Sequence, residues 1–159
     1  MKKNLYLILF VVLASKSFAQ DNFSMEYGKV TQYEMGMKEY NKDKNAEALV
    51  IYDIGNYFFQ GHDREGFLLH MKRKTKIKIL KSSGIDYANI EIPYYTEGNR
   101  WENIYDIKAV TYNLDNGQLI KTVFDEKKMY EEKVSENWKI KKLALPDVRE
   151  GSVIEFSYT

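Results

Sequence analysis

His62, with Asp63 and Glu65 beside it in a charged loop bounded by Gly61 and Gly66, is the arrangement here that could hold a metal ion or move a proton. The helical H-E-x-x-H spacing that places two imidazoles on one face is absent, and His70 falls on a strand among basic neighbours. Solvated loop charges are the better account, so no metal and no cofactor are expected. Ser82-Ser83-Gly84 lacks the G-x-S-x-G context of a strained nucleophile elbow, and no such motif occurs anywhere in the chain. It reads as a turn. With zero Cys there is no thiol nucleophile, thiolate ligand or disulfide. No catalytic residue is assigned.

Two patterns remain that could bind rather than react. Tyr94, Tyr95, Trp101 and Tyr105, with Tyr87 nearby, are the densest aromatic cluster, and exposed rings of this kind stack on sugars or grip a neighbouring domain. They are the candidate binding residues, weighed against the plainer reading that most of them fill the core. Lys72, Lys74, Lys76 and Lys78 share one strand parity, with Lys81 beyond, and could meet an anionic glycan or headgroup. The favoured reading is simpler: they form the wet face of a strand whose dry face carries Thr75, Ile77 and Ile79.

The elements that must position these residues read mostly as strands. Residues 1–19 stand apart as a signal peptide, with Lys2 and Lys3, an apolar run from Leu5 to Ala14, and Ser17-Phe18-Ala19 before the cleavage point. Its removal takes three lysines and no acid, so the net charge of +1 becomes −2, which does not recruit nucleic acid. The mature chain is expected to be exported, with the periplasm the favoured destination and secretion the alternative, and with no membrane span after cleavage. Residues 20–30 are a polar lead-in and 31–159 a single domain.

Thr31-Gln-Tyr-Glu34 reads as a capping box opening a helix of about three turns, with Tyr33, Met37 and Tyr40 on its packed face. Strands follow at Ala48 to Tyr52, Tyr57 to Phe59 after a turn at Asp53 to Asn56, Phe67 to Leu80, and Asp86 to Ile92, the last stopped by Pro93. Tyr94 to Trp101 reads as a loop. Ile104 to Leu114 and Leu119 to Phe124 form a hairpin about Asn116-Gly117, which suits a primed turn. Asp125 to Asn137 is charged and read as helical; Trp138 to Leu145 leads to a final half-buried strand with Ile154, Phe156 and Tyr158 on its inward face. With no βαβ alternation, the class is an all-β antiparallel β-sandwich with one short N-terminal helix. The chain stops just after an inward-pointing Tyr158, so a domain cut from something longer is expected.

Several blocks, in order, carry a resemblance: Tyr27-Gly-Lys-Val-Thr31, Val50-Ile-Tyr52-Asp53, Lys76-Ile-Lys-Ile-Leu80, Ile92-Pro93-Tyr94-Tyr95, and, most specific, Leu145-Pro146-x-Val148-x-Glu150-Gly151-Ser152-Val153-Ile154-Glu155. Together, over residues 26–159, they resemble the domain of unknown function 3857 family. The resemblance implies an immunoglobulin-like sandwich at the N-terminus of an exported protein, non-catalytic, with a C-terminal transglutaminase-like domain in the same polypeptide as its partner. A stand-alone module binding envelope glycan or protein is the alternative.

Overall fold

A computed structural model describes residues 22–63, 66–98 and 100–159, with the main chain alone at Arg100 and Trp101. The signal segment 1–19 lies outside these residues. One helix, α1 (Gln32–Gly36), precedes nine strands: β1 (Ala48–His62), β2 (Gly66–Ile79), β3 (Asn89–Glu97), β4 (Arg100–Trp101), β5 (Lys108–Asp115), β6 (Gln118–Val123), β7 (Tyr130–Lys133), β8 (Trp138–Ala144) and β9 (Val153–Tyr158). They form two antiparallel sheets, β1-β2-β9-β5-β6 and β4-β3-β8-β7. The fold is an all-β sandwich.

Alternation along the strands builds the core between the sheets. Ile77 and Ile79 of β2, Ile154, Phe156 and Tyr158 of β9 and Ala109 of β5 meet Ile90 and Ile92 of β3 and Leu143 of β8. The inward parity read for β2 and β9 is the one observed. β9 is nonetheless buried along both faces, because it lies between β2 and β5 in mid-sheet and a second layer covers its far side. That layer is the N-terminal segment, where Met35, Tyr27 and Val30 pack on Val110, Tyr112 and Val153.

Other expectations need correction. Asp53 to Asn56 is no turn: β1 runs through it, with Gly55 opposite Arg73 and the Arg73 guanidinium donating to both Asp53 oxygens, at 2.8 and 2.6 Å. The real reversal follows His62, tightening the loop expected from Gly61 to Gly66. α1 is one turn rather than three; Glu34 and Met35 are its buried residues, while Tyr33 is exposed. Asp125 to Asn137 holds a 3-10 turn at Glu126–Lys128 and then β7, whose acids pair with β8 lysines. Ser82 to Ala88 is a 3-10 helix, not a turn followed by a strand. Pro93 does not stop β3, since there the strand has a neighbour, β8, on one side only and no ladder amide is lost. The Asn116-Gly117 turn has φ of 49° and 80° at its two residues, the positive pair of a type I′ hairpin.

Gly84 is held close to the segment before β1. The Glu47 carbonyl accepts from Leu80 and Lys81 at 2.9 and 3.0 Å, and a Cβ on Gly84 would fall inside contact distance of that same oxygen. Because the obstacle is main chain, Gly84→Ala is expected to cost about 1–3 kcal/mol. The check is a urea midpoint that falls at unchanged slope.

Candidate functional site

The lysine stripe is the first correction of functional weight. Lys72 is exposed and Lys74 half-buried, but Lys76 and Lys78 are 0% exposed, roofed by the N-terminal segment. The capping box supplies the roof's anchor. Thr31 Oγ1 accepts from the Glu34 amide at 3.0 Å and Glu34 Oε2 accepts from the Thr31 amide at 2.8 Å. The other Glu34 oxygen accepts from the Ser24 amide at 2.7 Å and lies 3.6 Å from Lys76 Nζ.

Lys76 stands between two carboxylates. Its ammonium donates to the carbonyls of Ser24 and Lys29 at 2.8 and 2.6 Å, with Glu155 Oε1 at 3.7 Å and the Tyr52 ring centre at 5.2 Å. Glu155 accepts from the Gly28 amide at 2.7 Å, from Tyr112 at 3.2 Å, and from the Tyr52 hydroxyl in a short bond. Lys78 donates to the carbonyls of Met35 and Gly151 at 2.9 and 2.5 Å. Burial lowers its pKa to about 8 against the raising influence of Glu34. Burial, then the Glu155 charge, pushes the Tyr27 phenol up to about 12; burial likewise raises Tyr52 and Tyr112. Two cations and two anions, fully buried, thus offset one another and tie the segment to the sheet. The charged atoms of Lys76, Lys78, Glu34 and Glu155 all have partners within the protein.

The missed members are Glu34, Glu155, Tyr52 and Tyr112. One sequence signal could have found them: Glu155 interrupts the apolar run Val153-Ile-x-Phe156 with the parity of Val153, and sheet pairing sets it opposite Lys76.

The aromatic cluster divides. Tyr94 is core-like, its hydroxyl donating to Glu131 and its ring under Lys141 at 5.7 Å; burial pushes its phenol up to about 12. Tyr95 meets Trp138 edge-on, ring centres 5.4 Å apart, and bonds through its main chain with Glu102. Tyr105 lies 2.7 Å from His70 Nδ1, while His70 stacks on Phe58 at 5.1 Å. Trp101 pairs its main chain with Thr96, and its side chain lies outside the described residues. Tyr95, Trp138, Tyr105 and His70 line an open groove of about 1300 Å³ between the two sheets, so two of the four candidate residues share a site with two that were not singled out for it. His62 and Asp63 are exposed, and Glu65 lies outside the described residues. Among the described residues no three His, Cys, Asp or Glu side chains converge on a possible metal position, and no helix is long and apolar enough to cross a membrane.

Two antiparallel sheets, strapped by the chain's own N-terminal segment and open along one groove, define a β-sandwich domain. Residues 70–159 match the model of a family described as a Domain of Unknown Function with solved-structure structure, DUF3857, and the chain belongs to that family. The matched region holds β2 to β9 apart from the first residues of β2; the blocks around Tyr27 and Val50 lie before it. No curated protein and no solved structure matches the chain significantly.

Proposed function

We propose that this chain is an exported, non-catalytic β-sandwich that serves as the N-terminal scaffold or substrate-presenting domain of a transglutaminase-like protein. The observation that carries the reading is the fate of its ionisable groups: Lys76, Lys78, Glu34 and Glu155, the set that most resembles reactive machinery, are sealed from solvent and hold the fold together. The sequence contains no Cys, so the Cys-His-Asp triad of a transglutaminase-like domain has no place in these residues. The family resemblance supplies the expected context of a catalytic domain following in the same polypeptide.

The test is direct. Purified chain incubated with a primary-amine donor and a glutamine-rich acceptor protein, or with peptide substrates, is expected to give no turnover. Reproducible turnover abolished by changing one residue would overturn the reading.

A further inference from the structure

We propose that the cleft between the inner face of β1 and β2 and the segment from Asp86 to Glu91 binds a primary alkylammonium, an apolar chain that ends in one cationic nitrogen. The inference goes beyond the scaffold reading and does not depend on it.

Strand pairing inside the sandwich fixes the floor. Val50 of β1 lies opposite Ile77 of β2, and Asp53 lies opposite Thr75, which on its other side meets Phe156 of β9. Ile77, Phe156 and Ile90 belong to the core and present one side to the cleft, so its depth is apolar. Val50 and Tyr87, which also line it, are 51% and 50% exposed. The cleft holds about 460 Å³, inside the roughly 300–1,000 Å³ of small-molecule sites.

The charges around this apolar floor are predominantly negative. Asp53, Asp86 and Glu91 line the cleft against one cation, Arg73, a sum of −2. Arg73 is already engaged: Nε and Nη2 donate to Asp53 at 2.8 and 2.6 Å, and Nη1 is 3.5 Å from the Tyr158 hydroxyl. Glu91 lies 3.1 Å from Lys142, but that ammonium is also 2.6 Å from Glu132, so one cation serves two carboxylates. Asp86 has neither an ion pair nor a hydrogen bond to its carboxylate among the described residues.

These features select the ligand. An anion would meet uncompensated carboxylates, and a purely apolar molecule would leave Asp86 unanswered. An alkyl chain lying along Val50, Ile77 and Phe156 brings its terminal ammonium toward Asp86, where the adjacent Tyr87 offers an aromatic ring to the same charge. A lysine side chain of a polypeptide, with its four-carbon stem and compact charge, and a free small amine share this chemistry.

The probes are Nα-acetyl-lysine methylamide and hexylamine, each titrated into the nitrogen-15-labelled full chain at pH 7 and followed by amide chemical shifts. Saturable shifts at Asp86, Tyr87 and Asn89 are expected. Tighter binding of the lysine derivative assigns the cleft to a polypeptide side chain, and tighter binding of hexylamine assigns it to a free amine; either supports the proposal. Asp86→Asn, at an exposed position whose carboxylate holds no partner, is expected to weaken binding roughly tenfold at an unchanged melting temperature. Val50→Lys, which tethers a competing ammonium at the cleft, is expected to weaken it at least as much. The norleucine analogue, with the same stem and no charge, is expected not to saturate. Absence of saturable shifts with both amines, equal affinity in Asp86→Asn, or equally tight binding of the norleucine analogue overturns the proposal. Shifts confined to Tyr95 and Trp138 would place the amine in the larger groove and overturn it as well.

Discussion

Lys76→Met is expected to lower the melting temperature by roughly 10–20 °C, the largest effect of any single change outside the aliphatic core. The substitution nearly conserves volume, so packing is not the source. It removes the cation that lies between Glu34 and Glu155 and leaves two carboxylates buried in a site without water access. Breaking a buried pair from one side costs about 3–5 kcal/mol, while removing both sides costs far less. The combined Lys76→Met, Glu155→Gln chain is therefore expected to recover part of the loss, since glutamine still accepts from the Gly28 amide and the two phenols. Thermal unfolding followed by circular dichroism decides the matter. With Glu155→Gln measured alone as well, a double-variant loss equal to the sum of the two single losses would show that the two residues do not act as a pair.

Stability should also rise with pH in an unusual window. Burial holds Lys78 near 8 against an ordinary 10.5, so between those values the unfolded chain carries a proton that the folded chain has released. Where the unfolded state binds more protons, raising the pH stabilises the fold, here by about 3 kcal/mol across the window. The phenols gathered around Glu155 act in the opposite sense at higher pH. Tyr27, pushed up to about 12, and the raised phenols of Tyr52 and Tyr112 keep protons that the unfolded chain loses above about 10. Stability is thus expected to peak near about pH 9–10 and fall beyond it. Urea titrations from pH 7 to 11 provide the measurement, with Lys78→Met as the control that should lose the rise and keep the fall. A rise of equal size in that variant would remove Lys78 as its cause.

Much of the sandwich is legible in the sequence because alternation is a local signal. The β2 parity of Thr75, Ile77 and Ile79, the Asn116-Gly117 turn and the Thr31 capping box each follow from neighbours a few residues away. What the sequence hides is long-range cover. Lys76 and Lys78 have the spacing of a solvated face, and only the arrival of residues Ser24 to Met35 on top of them turns that face into an interior. For the same reason the Asp53 to Asn56 stretch, turn-like in composition, stays extended: Arg73 and Thr75 of the partner strand satisfy Asp53 from across the ladder. Tyr94 and Tyr95 were adjacent candidates with opposite fates, because successive strand residues face opposite ways and only the sheets' placement decides which way opens to the groove.

The bonds converging on Glu155 also dictate an order of events during synthesis. Gly28 and Tyr52 meet it across 127 and 103 residues of chain. Contacts of such separation form late, after the loop-closure entropy has been met by nearer ones. The long β1–β2 hairpin is local and can form while the chain is still emerging, but its lysines have no second carboxylate until β9 is made. The N-terminal segment can therefore latch only in part when β2 emerges: Lys76 and Lys78 reach its carbonyls, but the Gly28 amide has no carboxylate to meet until Glu155 of β9 has been made.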